Sequence, residues 1–173
     1  MKKLLNLLPA ISLAVAMLAS HPAAAAANAV TVVATINGGG TSLMYAGPGF
    51  APGTKNVSSF GIHATLYSDG TATGHVDCVD QHGDVSAGNI FGDVTSWSLV
   101  PKDGDIDDGI LLHVTGTLVT FGGGPPVDMK FPVTIQAAGG AGVGKWTLGN
   151  PQAPFCIEIL LSGQIVVRGN LLG

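Results

Sequence analysis

Along residues 60–80 apolar and polar side chains alternate with a period of two, the signature of strands with one buried face. Phe60, Ile62, Ala64 and Leu66 share one face of a first arm, and Gly61, His63, Thr65 and Tyr67 the other. In a second arm Ala72, Gly74, Val76 and Cys78 alternate with Thr73, His75, Asp77 and Val79. Asp69-Gly70 invites a two-residue type I′ turn. That register, however, sets Ala64 opposite His75 and Ile62 opposite Asp77. A three-residue loop, Ser68-Asp69-Gly70, with Gly70 left-handed in a bulge, moves the pairing by one. Ile62 then faces Val76, Leu66 faces Ala72, and His63 lies across from His75 with Asp77 beside them. The bulged hairpin is the expected one.

The rest of the chain follows the same rhythm. Ala29–Ile36 is a β-rich run ended by Gly38-Gly39-Gly40. Residues 41–59 carry Gly47-Pro48-Gly49 and Pro52-Gly53, and read as a long connection with at most a short strand at Leu43–Tyr45. Asp93–Val100 is a strand with Thr95, Trp97 and Leu99 on one face, and Ile110–Phe121 another. Val127, Met129, Phe131, Val133 and Ile135 then alternate with Asp128, Lys130, Pro132, Thr134 and Gln136. Pro132 marks this strand as an edge or a bulge, because proline has no N–H to give a neighbour. A short strand at Trp146 and Leu148 precedes a closing pair, Phe155–Leu161 and Gln164–Arg168, turned at Ser162-Gly163. The sum is about nine strands and no helix. An all-β fold follows, a single antiparallel sandwich or barrel, with the balance leaning to the sandwich.

The N-terminus departs from this pattern. Lys2-Lys3, an apolar run from Leu4 to Leu18 and an alanine-rich end are the parts of a secretory signal peptide. Cleavage is expected between Ala25 and Ala27, so residues 1–27 are a leader and 28–173 one domain, secreted or periplasmic in a bacterium. The apolar run is too short for a membrane anchor, so no membrane insertion of the mature chain is expected. Without Lys2 and Lys3, five of the seven basic residues remain against eleven acidic ones. That balance argues against nucleic acid as a partner.

Cys78 and Cys156 are the two cysteines, and an exported chain makes a disulfide the default. Closing a loop of that length is worth roughly 4 kcal/mol on chain-entropy grounds. The alternatives are two buried thiols or a catalytic thiol. One observation counts against the pairing: Cys78 shares a face with apolar residues, whereas Cys156 alternates with Phe155 and Ile157.

Gly38-Gly39-Gly40, Ser59-Phe60-Gly61-Ile62, Asp69-Gly70, Gly74-His75 and the closing run Ser162-Gly163-Gln164-Ile165-Val166-Val167 resemble small secreted bacterial modules known as post-COAP domains. The resemblance spans most of the mature chain and implies an all-β fold. It implies no activity, so no catalytic residue is carried over. The acidic loop at 101–109 and the cysteines lie outside the shared pattern.

Several groups could carry chemistry. His63, His75 and Asp77 are close enough across a hairpin for two imidazoles and a carboxylate to hold a metal such as zinc, with His82 as a further donor. The competing reading is a solvated polar face. Asp103, Asp105, Asp107 and Asp108 have the opening spacing of a calcium loop. An EF-hand is excluded by Asp108 in place of glycine and Val114 in place of glutamate, which leaves a looser calcium site or a plain acidic turn. Gly139–Lys145 imitates a phosphate-binding loop, but Trp146 stands where serine or threonine must bind magnesium. Asn56-Val57-Ser58 matches a glycosylation acceptor by coincidence. No G-x-S-x-G or HExxH occurs, and the sole glutamate, Glu158, points opposite Ile157 and Ile159. Trp97, Trp146 and Tyr67 could line a carbohydrate surface. The expected function is a non-catalytic exported domain with a binding role, for a carbohydrate or protein ligand, or a structural role in the envelope or at the cell surface. The alternative is a metal-dependent protein or hydrolase built on His63, His75 and Asp77.

Overall fold

The computed structural model describes residues 29–46, 55–81, 88–101, 108–121, 123–150, 152–169 and 171. They form eight antiparallel strands: β1 (Val32–Ala46), β2 (Lys55–Tyr67), β3 (Ala72–Asp80), β4 (Asn89–Val100), β5 (Gly109–Val119), β6 (Val127–Ala138), β7 (Gly144–Asn150) and β8 (Ala153–Arg168). Each strand pairs with the next, and β8 returns to β1, so the sheet closes into an up-and-down barrel. The lean towards a sandwich is therefore corrected. Closure removes every edge, and all the inward faces meet in a single lumen.

The β2–β3 hairpin has the expected register: Ile62 pairs with Val76, Leu66 with Ala72 and His63 with His75. Gly70 is left-handed at φ +83°, and Tyr67 N donates to Thr71 O at 3.0 Å. Asp69 Oδ1 accepts from the Thr71 hydroxyl at 2.6 Å and from Thr71 N at 3.0 Å, which holds this carboxyl below its ordinary value.

Two expected turns are absent. Gly38-Gly39-Gly40 does not end a strand, and Ser162-Gly163 does not separate two; β1 and β8 run straight through and pair there, Gly40 with Gly163. Gly40 (φ +152°) and Gly163 (φ +85°) each bring a backbone where a Cβ would collide with the partner strand's carbonyl oxygen. A bulge beside them, between Thr41 and Ser42, lets both long strands coil round the barrel. Fusing the expected closing pair into β8 reduces nine strands to eight, and the short strand at Leu43–Tyr45 is the second half of β1.

Pro132 is not on an edge strand. β6 lies between β5 and β7, but the β6–β7 ladder begins only at Val133, so Pro132 pairs with His113 on β5 and has no ladder partner on β7. A second bulge, between Val94 and Ser96 in β4, breaks the expected Thr95–Trp97–Leu99 face. Trp97 pairs with Leu112 and packs on the core, while Thr95 and Leu99 are exposed.

The lumen differs along its length. Towards the end where β2 turns into β3, it is filled by Ala34, Ile36, Ile62, Ala64, Leu66, Val76, Val94, Ile110, Leu112, Ile135 and Ile165, all buried. Towards the opposite end, where β1 finishes and β2 begins, buried polar residues enter: Ser42, Asn56, Ser58, Asp80 and Glu158. This second end is called the mouth below.

Candidate functional site

The outer wall carries the histidines. His63 and His75 are adjacent as expected, yet each is engaged sideways. His63 Nδ1 lies 2.8 Å from Asn37 Oδ1 on β1, and His75 Nδ1 lies 3.1 Å from Asp93 Oδ1 on β4. The His75–Asp93 pair is well exposed, with side chains 53% and 82% accessible. Asp77 lies over Gly61, where a Cβ would meet its carboxylate oxygens at 2.6 Å. Among the described residues no group of three or more His, Cys, Asp or Glu side chains is placed to hold a metal ion. Asp108 is exposed at the start of β5, while His82, Asp103, Asp105 and Asp107 lie outside the described residues, as does the leader.

The aromatic residues do not form a shared surface. Trp146 is fully buried, with its ring centroid 5.6 Å from that of Phe60. Trp97 is half-buried and donates its Nε1–H to Tyr67 O at 2.8 Å. Asn56, the glycosylation position, is a lumen residue only 7% exposed, out of reach of any modifying enzyme in the folded protein.

The chemistry converges in the mouth, on a residue the alternation of β8 disguised. Phe155, Ile157 and Ile159 look like a core face, and Glu158 looks like its solvent-facing interruption. The barrel has them the other way round: Cys156, Glu158 and Leu160 face the lumen, while Phe155 and Ile159 are exposed. Glu158 has no accessible surface. Its Oε2 accepts from Ser58 Oγ at 2.7 Å, and Ser58 Oγ is 3.0 Å from Ser42 Oγ. Its Oε1 receives two thiols, Cys156 Sγ at 3.6 Å and Cys78 Sγ at 4.0 Å.

The expected disulfide is not formed in this structure. Both cysteines do face the lumen, but they are free thiols directed at the same carboxylate oxygen. The apolar neighbours on β8 point to the wrong face for Cys156 and hide the carboxyl of Glu158 beside it. Burial raises the pKa of both thiols well above the ordinary thiol value, and the neighbouring Glu158 adds to it. Such thiols are protonated and poor nucleophiles. Burial also raises the Glu158 carboxyl, partly offset by hydrogen bonds from Ser58, Ser42 and Cys156.

Facing this polar wall is an apolar pocket of about 110 Å³ lined by Ile90, Leu118, Met129, Phe131, Leu148 and Phe155. It adjoins the carboxyl cluster on both sides: Ile90 pairs with Cys78 on β3, and Leu148 pairs with Cys156 on β8. A larger open groove on the outer wall, about 400 Å³ and lined by Thr95, His113, Thr115, Lys130 and Pro132, contains no buried polar side chain. The mouth is therefore where apolar surface and buried acid–hydroxyl–thiol chemistry meet. An interrupted alternation was its only mark in the sequence: a single glutamate inside a seven-residue apolar run. Comparison with protein-family models, with curated proteins and with solved structures finds no match to this chain.

Proposed function

We propose that this is an exported, non-catalytic binding domain whose barrel mouth takes a small, mainly apolar ligand with one polar head. The observation that carries the reading is the two-sided mouth, an apolar pocket directly flanked by strands that bear a buried carboxyl cluster. Small-ligand sites combine those two parts, apolar walls for affinity and a few placed polar groups for orientation. A pocket of about 110 Å³ has room for a short alkyl chain or a single ring. The protonated thiols favour binding over nucleophilic catalysis. Apolar side chains line the lumen and polar ones much of the outer wall, the reverse of a membrane-spanning barrel. Export rests on the leader pattern at Lys2-Lys3 and the apolar run that follows.

The test is a thermal-shift panel of six-carbon probes: n-hexane, hexan-2-one, hexan-2-amine and hexanoate. At least one should raise the Tm by several degrees near saturation. Leu118→Trp, which fills the pocket from its half-buried rim, should abolish the shift while leaving the protein folded. No shift with any probe would dismiss the reading.

A further inference from the structure

Among the described residues, two nitrogen donors in the lumen lack an acceptor, Asn56 Nδ2 and Trp146 Nε1. Asn56 is 7% exposed and Trp146 has no accessible surface, so water does not meet either one freely. Pairing between strands links them: Trp146 lies opposite Glu158, Glu158 opposite Met44, and Met44 opposite Asn56. They are the two ends of one lumen row running across β7, β8, β1 and β2, with the acid between them. Buried donors left unpaired are costly and uncommon in folded proteins.

Glu158 lies between them in the row but does not serve them; its contacts are with Ser58 and the two thiols. Among the described residues no lysine or arginine is buried in the lumen to balance an anion, and Asp80 stands at the same mouth, one pairing away from Ser58.

We propose that the ligand's head is a neutral hydrogen-bond-accepting oxygen, the carbonyl of a ketone, aldehyde, ester or lactone, received by Asn56 Nδ2 with Trp146 Nε1 as a second donor. This rests on the mouth being a binding site and adds the chemistry of what enters it. A carbonyl oxygen has two lone pairs and can accept from both donors. A protonated amine would leave both donors unpaired. A carboxylate would bring a second negative charge towards Asp80.

Calorimetric titration of the full chain with the same four probes separates the outcomes. Hexan-2-one should bind about tenfold more tightly than n-hexane, and more tightly than hexan-2-amine or hexanoate. Asn56→Leu, close in size, should lose the preference for the ketone while still binding n-hexane. Trp146→Phe should reduce the preference several-fold, and it carries the test should Asn56→Leu not fold. Equal affinity for ketone and alkane in the native protein would overturn the head assignment and leave the pocket standing. So would tightest binding of the amine or of hexanoate, or a ketone preference that survives both substitutions. Binding of no probe would overturn the pocket and the head together.

Discussion

The two ends of the lumen are built from the same eight strands and behave as different materials. Away from the mouth, Ile36, Leu66, Leu112, Ile135 and Ile165 fill the barrel without a polar atom between them. At the mouth Ser42, Ser58, Asn56 and Glu158 replace such residues on β1, β2 and β8, and the wall opposite leaves space beside Phe131 and Leu148. Apolar close packing has no preference about what approaches it. Buried polar groups do, and they weaken the packing around them. Stability is therefore expected to reside mostly at the closed end, and selectivity at the mouth.

Matched truncations break or sharpen that division most directly. Leu112→Ala, at a site without accessible surface, should cost about 3 kcal/mol in urea denaturation, and Leu118→Ala, at the half-buried rim, about 1 kcal/mol or less. Equal losses would mean that the mouth is as tightly packed as the closed end.

A smaller effect follows from Glu158. Burial raises its folded-state pKa above the unfolded value, so the favourable contribution is complete below the unfolded value, near pH 4.5. It is lost as pH rises through the raised folded value, because the buried carboxyl must then ionise. Glu158→Gln should accordingly flatten the fall in Tm between pH 5 and pH 8 that the native protein shows. A native Tm that rises across that interval, with Glu158→Gln unchanged, would mean that the carboxyl is held in its charged form.

The smallest effect is expected outside the lumen altogether. His75→Ala removes a pair with Asp93 that is largely exposed, and the stability change should stay within about 0.5 kcal/mol. A larger loss would show that the outer wall contributes to the fold in a way its exposure hides.

The closed end was largely legible in the alternation of residues. Phe60 to Cys78 disclosed a hairpin, its bulged turn and its buried face, since every inward position there is apolar and a slip of one residue inverts them all. The β6 face from Met129 to Ile135 was legible for the same reason. The mouth was not, because there polar side chains occupy the inward face and apolar ones lie outside. Ile157 and Ile159 therefore misdirected the assignment of Cys156 and Glu158. Glycine misled in a different way at Gly38–Gly40 and Ser162-Gly163. The lack of a Cβ signals a turn in most strands, whereas here it permits two backbones to approach closely. That approach closes the cylinder, and it depends on a partner more than a hundred residues away in the chain, which local pattern does not reveal.

The β1–β8 seam also has a kinetic consequence. Seven of the eight ladders join neighbours in the chain, whereas this one joins Thr41 to Ser162, 121 residues apart. Such a contact carries the largest loop-closure cost in the molecule and is the last that vectorial synthesis makes available. Until β8 emerges, β1 presents one unpaired backbone edge, able to pair with another copy of the chain as readily as with its own terminus. The glycine crossing at Gly40 and Gly163 is then the latch on which the speed and the cleanliness of folding depend.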